Sequence, residues 1–235
     1  MRLDKLLSFC GFGSRTEARK LVRQGVVTVD GEEARDQAMQ VDPQSQRVEV
    51  NGEALRYREH VYIMLNKPEG VISATGDRWH DTVLDLLEGA YAERELFPAG
   101  RLDRDTTGLM LLTDDGALAH ELLSPKKHVE KVYEVALDIP ADEADVAAFA
   151  EGLDLGDFTS KPARLTILDG NHAEVALTEG KFHQVKRMFE ARGKTVVKLH
   201  RRSMGRLSLD PDFGPGDWRE LTEEEVKSLK ERPDR

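Results

Sequence analysis

Apolar and polar positions change period several times along this chain, and each change marks an element. Ser14-Arg15-Thr16-Glu17 has the serine-to-glutamate spacing of a capping box, so a helix is expected to open there and to stop at Gly25. Ala18, Leu21 and Val22 fall on one face of it, leaving Arg15, Arg19 and Arg23 one turn apart on another. Val26–Val29 reads as a strand ending in the tight turn Asp30-Gly31, and Val48-Glu49-Val50 before Asn51-Gly52 repeats that signal. Arg56-Tyr57-Arg58-Glu59-His60 has no apolar periodicity and is the expected linker, dividing the chain into 1–58 and 59–235.

Beyond the linker the pattern alternates between periods. Strands are expected at 61–65, along Leu109-Met110-Leu111-Leu112, at 132–137, 173–177, 196–199 and 207–209. Asn66-Lys67-Pro68-Glu69-Gly70 reads as a turn with Lys67 at its tip. Helices are expected over 142–151, over 181–192 up to Gly193, and after Thr222, which stands three residues before Glu225. In the second of these, Phe182, Val185, Met188 and Phe189 form the apolar stripe, with Lys186 at its margin. Short mixed runs of this kind predict an α+β fold with a mainly antiparallel sheet and flanking helices.

Composition narrows the class. Charged residues make up 33% and aromatics 6%, and no run of about 18 apolar residues exists, so no membrane span is expected and a cytoplasmic protein is. The first residues, Met1-Arg2-Leu3-Asp4-Lys5, do not read as a signal peptide. The single cysteine, Cys10, excludes an internal disulfide and a Cys-rich zinc site. The seven histidines fall at no metal-ligand spacing, and nicotinamide and P-loop motifs are absent, so no cofactor or metal is expected.

A net charge of −10 argues against a nucleic-acid partner, but its distribution argues for one. Residues 1–29 hold six Lys/Arg (Arg2, Lys5, Arg15, Arg19, Lys20, Arg23) against Asp4 and Glu17. Residues 181–206 hold nine against Glu190 alone, while 138–157 carry seven carboxylates and no Lys or Arg. Charge is felt over about a Debye length, roughly 8 Å at physiological salt, so the two basic islands are read as a footprint for phosphates.

The candidate chemistry lies at Gly100-Arg101-Leu102-Asp103-Arg104-Asp105-Thr106-Thr107-Gly108, a glycine-fenced loop leading into the apolar run at 109–112. A carboxylate held beside an arginine can act as nucleophile or general base. A tight surface loop whose Asp and Thr side chains serve only their own backbone is the plainer alternative. Asp103-x-Asp105-x-Thr107 also fits the pattern of haloacid-dehalogenase-type phosphatases, but Pro98 and Gly100 stand where that motif needs a strand.

The nine residues, with Leu109, resemble the catalytic motif of the RsuA family of ribosomal RNA pseudouridine synthases. Residues 2–4, 14–22 and 25–31 are similar to the S4 RNA-binding domain that precedes it, and Asn66–Gly70, Lys131-Val132-Tyr133 and Gly180–Met188 follow in the family's order. The resemblance implies an S4-like domain followed by a synthase domain, and isomerisation of one uridine of 16S rRNA, of the pseudouridine-516 kind. It implies Asp103 as the catalytic aspartate, Tyr133 as the residue stacking on the base, and Lys186 as the cation holding Asp103 ionised. Arg101 is expected to fill the space left by the flipped base or hold a phosphate. Lys67, Lys181, Gln184 and Arg187 are expected RNA contacts beside the six basic residues of the first island. A large-subunit (23S) rRNA target and a non-catalytic rRNA-binding or assembly factor are the alternatives, and the protein is expected to act as a monomer.

Overall fold

The computed structural model describes residues 1–124 and 126–231. Contacts divide the chain into two compact units, Met1–Val61 with Leu84–Phe97, and Tyr62–Val83 with Pro98–Arg235.

In the first unit, helix α1 (Leu3–Phe9) and helix α2 (Arg15–Arg23) are followed by strands β1 (Val27–Val29), β2 (Glu32–Glu33), β3 (Val48–Val50) and β4 (Glu53–Ala54), in sheet order β2-β1-β3-β4. Ser14 and Glu17 form the expected reciprocal cap on α2. Leu3, Leu6, Leu7, Ala18 and Val22 from the helices meet Val27, Val29, Val48 and Val50 from the strands in one core. The linker at 56–60 does not part the chain once and for all, because Leu84–Phe97 returns to this unit. Arg94 explains the return. Its guanidinium donates to the carbonyls of Phe9, Arg58 and Glu59 at 2.9, 2.6 and 3.0 Å and lies 3.6 Å from the Phe9 ring centroid.

The second unit is built on a nine-stranded sheet. Its strands are β5 (Tyr62–Lys67), β6 (Phe97–Pro98), β7 (Thr106–Thr113), β8 (Lys131–Leu137), β9 (Arg164–Ile167), β10 (His172–Leu177), β11 (Val196–Met204), β12 (Leu207–Ser208) and β13 (Trp218–Glu220). The main path runs β13-β5-β7-β11-β8-β10-β9, with β6 pairing β7 and β12 pairing β11. Only β7 and β11 run parallel among the described pairs. Helices α3 (Gly116–Leu123), α4 (Glu143–Glu151), α5 (Gln184–Glu190) and α6 (Glu223–Lys230) flank it, and a short 3₁₀ turn spans Asp85–Leu87 in the first unit. Phe149 of α4 and Phe189 of α5, both fully buried, meet with ring centroids 4.9 Å apart.

Two expectations are corrected. β5 continues through Lys67, so that residue ends a strand instead of tipping a turn. Helix α5 begins at Gln184, because His183 takes the left-handed conformation (φ 50°), which a helix cannot pass through. A single row crosses the middle of the sheet: Lys67 pairs with Gly108, Gly108 with Arg201, and Arg201 with Tyr133. At Gly108 (φ +102°) a β-carbon would collide with the backbone of Arg201, so only glycine lets β7 and β11 close at this point.

Candidate active site

The loop carrying Asp103 is fixed from both sides. Ser73 Oγ donates to the Leu102 carbonyl at 2.8 Å and accepts from the Leu102 N–H at 3.0 Å. From beneath, the Lys67 ammonium donates to the carbonyls of Pro68 (3.0 Å), Arg104 (3.4 Å) and Thr106 (2.8 Å). Gly70 and Arg104 clamp the same turn, with Gly70 N–H to Arg104 O at 2.8 Å and Arg104 Nε to Gly70 O at 2.9 Å. These bonds hold the backbone on either side of one carboxylate, which is the preorganisation a reacting group needs.

Two segments bring side chains to that carboxylate, the start of α5 and strand β8. Lys186, from the first turn of α5, places Nζ 3.1 Å from Asp103 Oδ2 and 2.6 Å from Asp105 Oδ1. Burial works against the Lys186 charge, but hydrogen bonds to Asp105 and Asp103 outweigh it and raise its pKa above the ordinary lysine value. The same bond to Lys186 holds Asp105 below the usual carboxylate range. His183 Nε2 stands 3.5 Å from Asp103 Oδ1 on its other side. Tyr133, buried on β8, lines a cavity of about 70 Å³ with Arg101, Asp103, Thr106, Lys181 and Gln184. This opens beside a wider cleft of about 700 Å³ bounded by Ile72–Thr75, Arg101–Asp103 and Gly180–His183. Arg101 is exposed there and has no hydrogen bond or ion pair among the described residues.

A model of the RNA pseudouridylate synthase family matches residues 61–191, and a model of the S4 domain matches residues 1–46. An uncharacterized RNA pseudouridine synthase of Bacillus subtilis is 50% identical, over 98% of this chain and 99% of that protein. The ribosomal small subunit pseudouridine synthase A of Escherichia coli is 43% identical over 97% of this chain and all of that one. A crystal structure of a pseudouridylate synthase superposes with a TM-score of 0.69 at 40% identity, covering 97% of this chain and 99% of that one. The chain belongs to the RsuA family of RNA pseudouridine synthases. It is accordingly an isomerase, an S4 domain followed by a synthase domain, and the phosphatase alternative for the Asp103 loop falls away.

Within this synthase, the expected site residues separate into two groups. Asp103, Tyr133, Lys186 and Arg101 line one region, and Lys181 lies exposed on its rim. The expected RNA contacts Lys67 and Gln184 are buried instead. Lys67 is spent on the loop carbonyls, and burial drops its pKa to about 8 despite Asp105 and Asp103 nearby. Gln184 Oε1 accepts the Lys181 N–H at 3.0 Å and its Nε2 donates to Glu179 at 2.6 Å, so it pins the turn ahead of α5.

The second basic island is largely spent inside the protein. Arg187 pairs with Asp157 and donates to the Leu155 carbonyl, while Arg192 and Lys194 reach the fully buried Asp145 at 2.9 and 2.7 Å. The acidic stretch at 138–157 is thus the internal partner of that island, and opposite charges far apart in sequence cancel in space. In the first unit, Arg2, Arg15 and Arg19 converge on buried Asp4, at 3.0, 3.4 and 2.8 Å. Burial alone would raise the Asp4 pKa, but these three bonds hold it far below the carboxylate range. Lys5, Lys20 and Arg23 stay exposed.

Sequence reasoning missed His183, Ser73 and the positioning role of Lys67. His183 stood in plain view inside Gly180–Met188, but a helix read through it gave it no distinct direction. Among the described residues no cluster of His, Cys, Asp or Glu could hold a metal, and no helix is long and apolar enough to cross a membrane.

Proposed function

We propose that this protein converts one uridine of small-subunit (16S) ribosomal RNA to pseudouridine, of the pseudouridine-516 kind, with Asp103 as the catalytic carboxylate. The observation carrying this reading is the Lys186–Asp103 pair at 3.1 Å, set in a cleft beside Tyr133 and the unpaired Arg101. The relatives named for the small ribosomal subunit support the choice of RNA.

The reaction breaks the N1–C1′ bond, turns the uracil, joins C5 to C1′ and releases the C5 proton. It is atom-neutral and needs no oxidant or phosphoryl donor. A uridine inside folded RNA must first be extruded, at a few kcal/mol of unstacking. Arg101 is placed to take a phosphate or the vacated space. Tyr133 supplies a ring for the flipped base, a contact worth about 1–3 kcal/mol. Asp103 acts on the sugar, and Lys186 balances its charge throughout. Lys5, Lys20 and Arg23 of the S4 domain, with Lys181 at the cleft, meet the phosphates. The protein works as a monomer in the cytoplasm, where its RNA is.

Tritium release from small-subunit rRNA labelled at uracil C5 tests the reading, comparing wild type with Asp103→Asn. About one equivalent released per RNA, lost in the variant while RNA affinity stays, is the expected result. Release only from large-subunit RNA would overturn the substrate assignment, and no release from either would leave an RNA-binding factor.

A further inference from the structure

Phe182 is out of place for an apolar residue. Its helical spacing with Val185, Met188 and Phe189 would put it in the core, yet it is 69% exposed while the other three are buried. The left-handed turn at His183 is the cause, since it starts α5 at Gln184, three residues later than the spacing predicts, and leaves Phe182 outside the helix. The phenyl ring lies parallel to the His183 imidazole, centroids 3.8 Å apart and planes 17° apart. His183 in turn touches Asp103. An exposed aromatic face therefore stands one imidazole away from the reacting carboxylate, on the wall of the wider cleft.

The turn presenting this face is rigid. Gln184 binds the Lys181 N–H and Glu179, and Glu179 accepts the Lys161 N–H at 2.7 Å. Gln184 and Glu179 are buried, so the backbone that carries the ring is fixed before RNA arrives, which lowers the ordering cost of binding. Arg101 faces the same cleft without a partner, a cation beside an open π surface. That pairing suits a nucleotide, which brings a flat base and a phosphate together. Extruding a uridine strips its neighbour in the strand of a stacking partner, and such a base is the occupant this surface fits.

We propose that Phe182, backed by His183, is the stacking platform for the nucleobase next to the target uridine, fixing the register of the RNA at the cleft. This rests on the reading that RNA enters at Asp103. Tyr133 takes the extruded base itself, so the two rings serve different nucleotides.

The test uses the full-length protein and a small-subunit rRNA transcript, with Phe182→Ala, Phe182→Leu and Phe182→Tyr. Filter retention gives Kd, and tritium release gives KM and kcat. Phe182→Ala and Phe182→Leu are expected to raise Kd and KM about tenfold, with kcat falling less than threefold, and Phe182→Tyr to restore wild-type values. Wild-type binding by Phe182→Leu would mean apolar cover without stacking, and unchanged Phe182→Ala would mean an empty surface. A kcat loss at constant KM would place Phe182 in the support of His183. Each of these overturns the platform. An inactive wild type would instead overturn the proposed reaction, and the Kd series still decides the platform by itself.

Discussion

Lys67 Nζ donates to the Thr106 carbonyl at 2.8 Å from a side chain with no solvent exposure. The same ammonium serves Pro68 and Arg104, so one lysine ties β5 to both ends of the turn that follows Asp103. Lys67→Met removes the donor that the Pro68, Arg104 and Thr106 carbonyls share. Stability is expected to fall by about 2–4 kcal/mol in urea titration, with turnover falling further than RNA affinity. An unchanged urea midpoint would contradict the positioning role.

Lys131 is the opposite case. Among the described residues its buried ammonium has one hydrogen bond, 3.2 Å to the Val129 carbonyl, and burial first, then the nearby Arg201 charge, lowers its pKa to about 8. Folded Lys131 thus releases its proton near pH 8 and the unfolded chain near 10.5. Between those values the unfolded state binds more protons, so this lysine's contribution makes stability rise with pH. Lys131→Met is expected to stabilise at pH 7 by about 1–2 kcal/mol, and the gap to wild type is expected to close toward pH 10. Thermal melts of both proteins across that range check the sign.

Lys186 holds two carboxylates, and they are not equivalent. Asp105 is the more exposed partner and Asp103 lies in the cleft. Lys186→Met is expected to lower kcat by about 100-fold or more, since it leaves two carboxylates together with no ammonium between them. Asp105→Asn leaves the ammonium on Asp103 and is expected to cost less than about tenfold. Single-turnover tritium release separates the two, and equal losses would mean that Asp105 shares the chemistry.

How far each of these groups is legible in the sequence depends on how local its cause is. The cap at Ser14 and Glu17 and the alternation of β8, with Lys131, Tyr133 and Val135 inward, depend on neighbours in sequence, and both are readable. Asp103, Tyr133 and Lys186 are candidates through motif order, and the structure brings the three to one region. Lys67 and Gln184 escape because a buried polar side chain is identified by partners outside its own segment: Thr106 for one, a carboxylate behind the helix for the other. Phe182 escapes because spacing cannot register a single left-handed residue. The basic island at 181–206 misleads because its neutralising acids sit in another element.

Asp4 offers a prediction whose sign is informative. Asp4→Asn makes the first unit more positive, so attraction to phosphates alone would tighten RNA binding. Loss of the anchor shared by Arg2, Arg15 and Arg19 is expected to dominate, weakening RNA binding and lowering stability by about 3 kcal/mol at pH 7. The stability difference persists above the unfolded value of 3.8 and disappears as pH falls through the much lower folded one. Tighter RNA binding by the variant would show that the arginines need no anchor.

Lys20 and Arg23 are exposed, and neither forms an ion pair among the described residues. Converting both to Gln is expected to reduce the slope of log Kd against log salt by about 1.4–1.8 without changing the urea midpoint. This is a cleaner test of the S4 surface than deleting residues 1–58, which would strip Leu84–Phe97 of the unit it packs into. A slope that does not move would place the phosphate contacts elsewhere.

Strand β11 contributes none of the four proposed catalytic side chains, yet it lies between β7 and β8 and sets the distance across which Asp103 and Tyr133 face each other. Arg101, Asp103, Tyr133 and Lys186 all precede it in the chain. A chain ending at Glu190 would therefore carry all four proposed residues and the clamps on the Asp103 loop, and lack the strand that spaces β7 from β8.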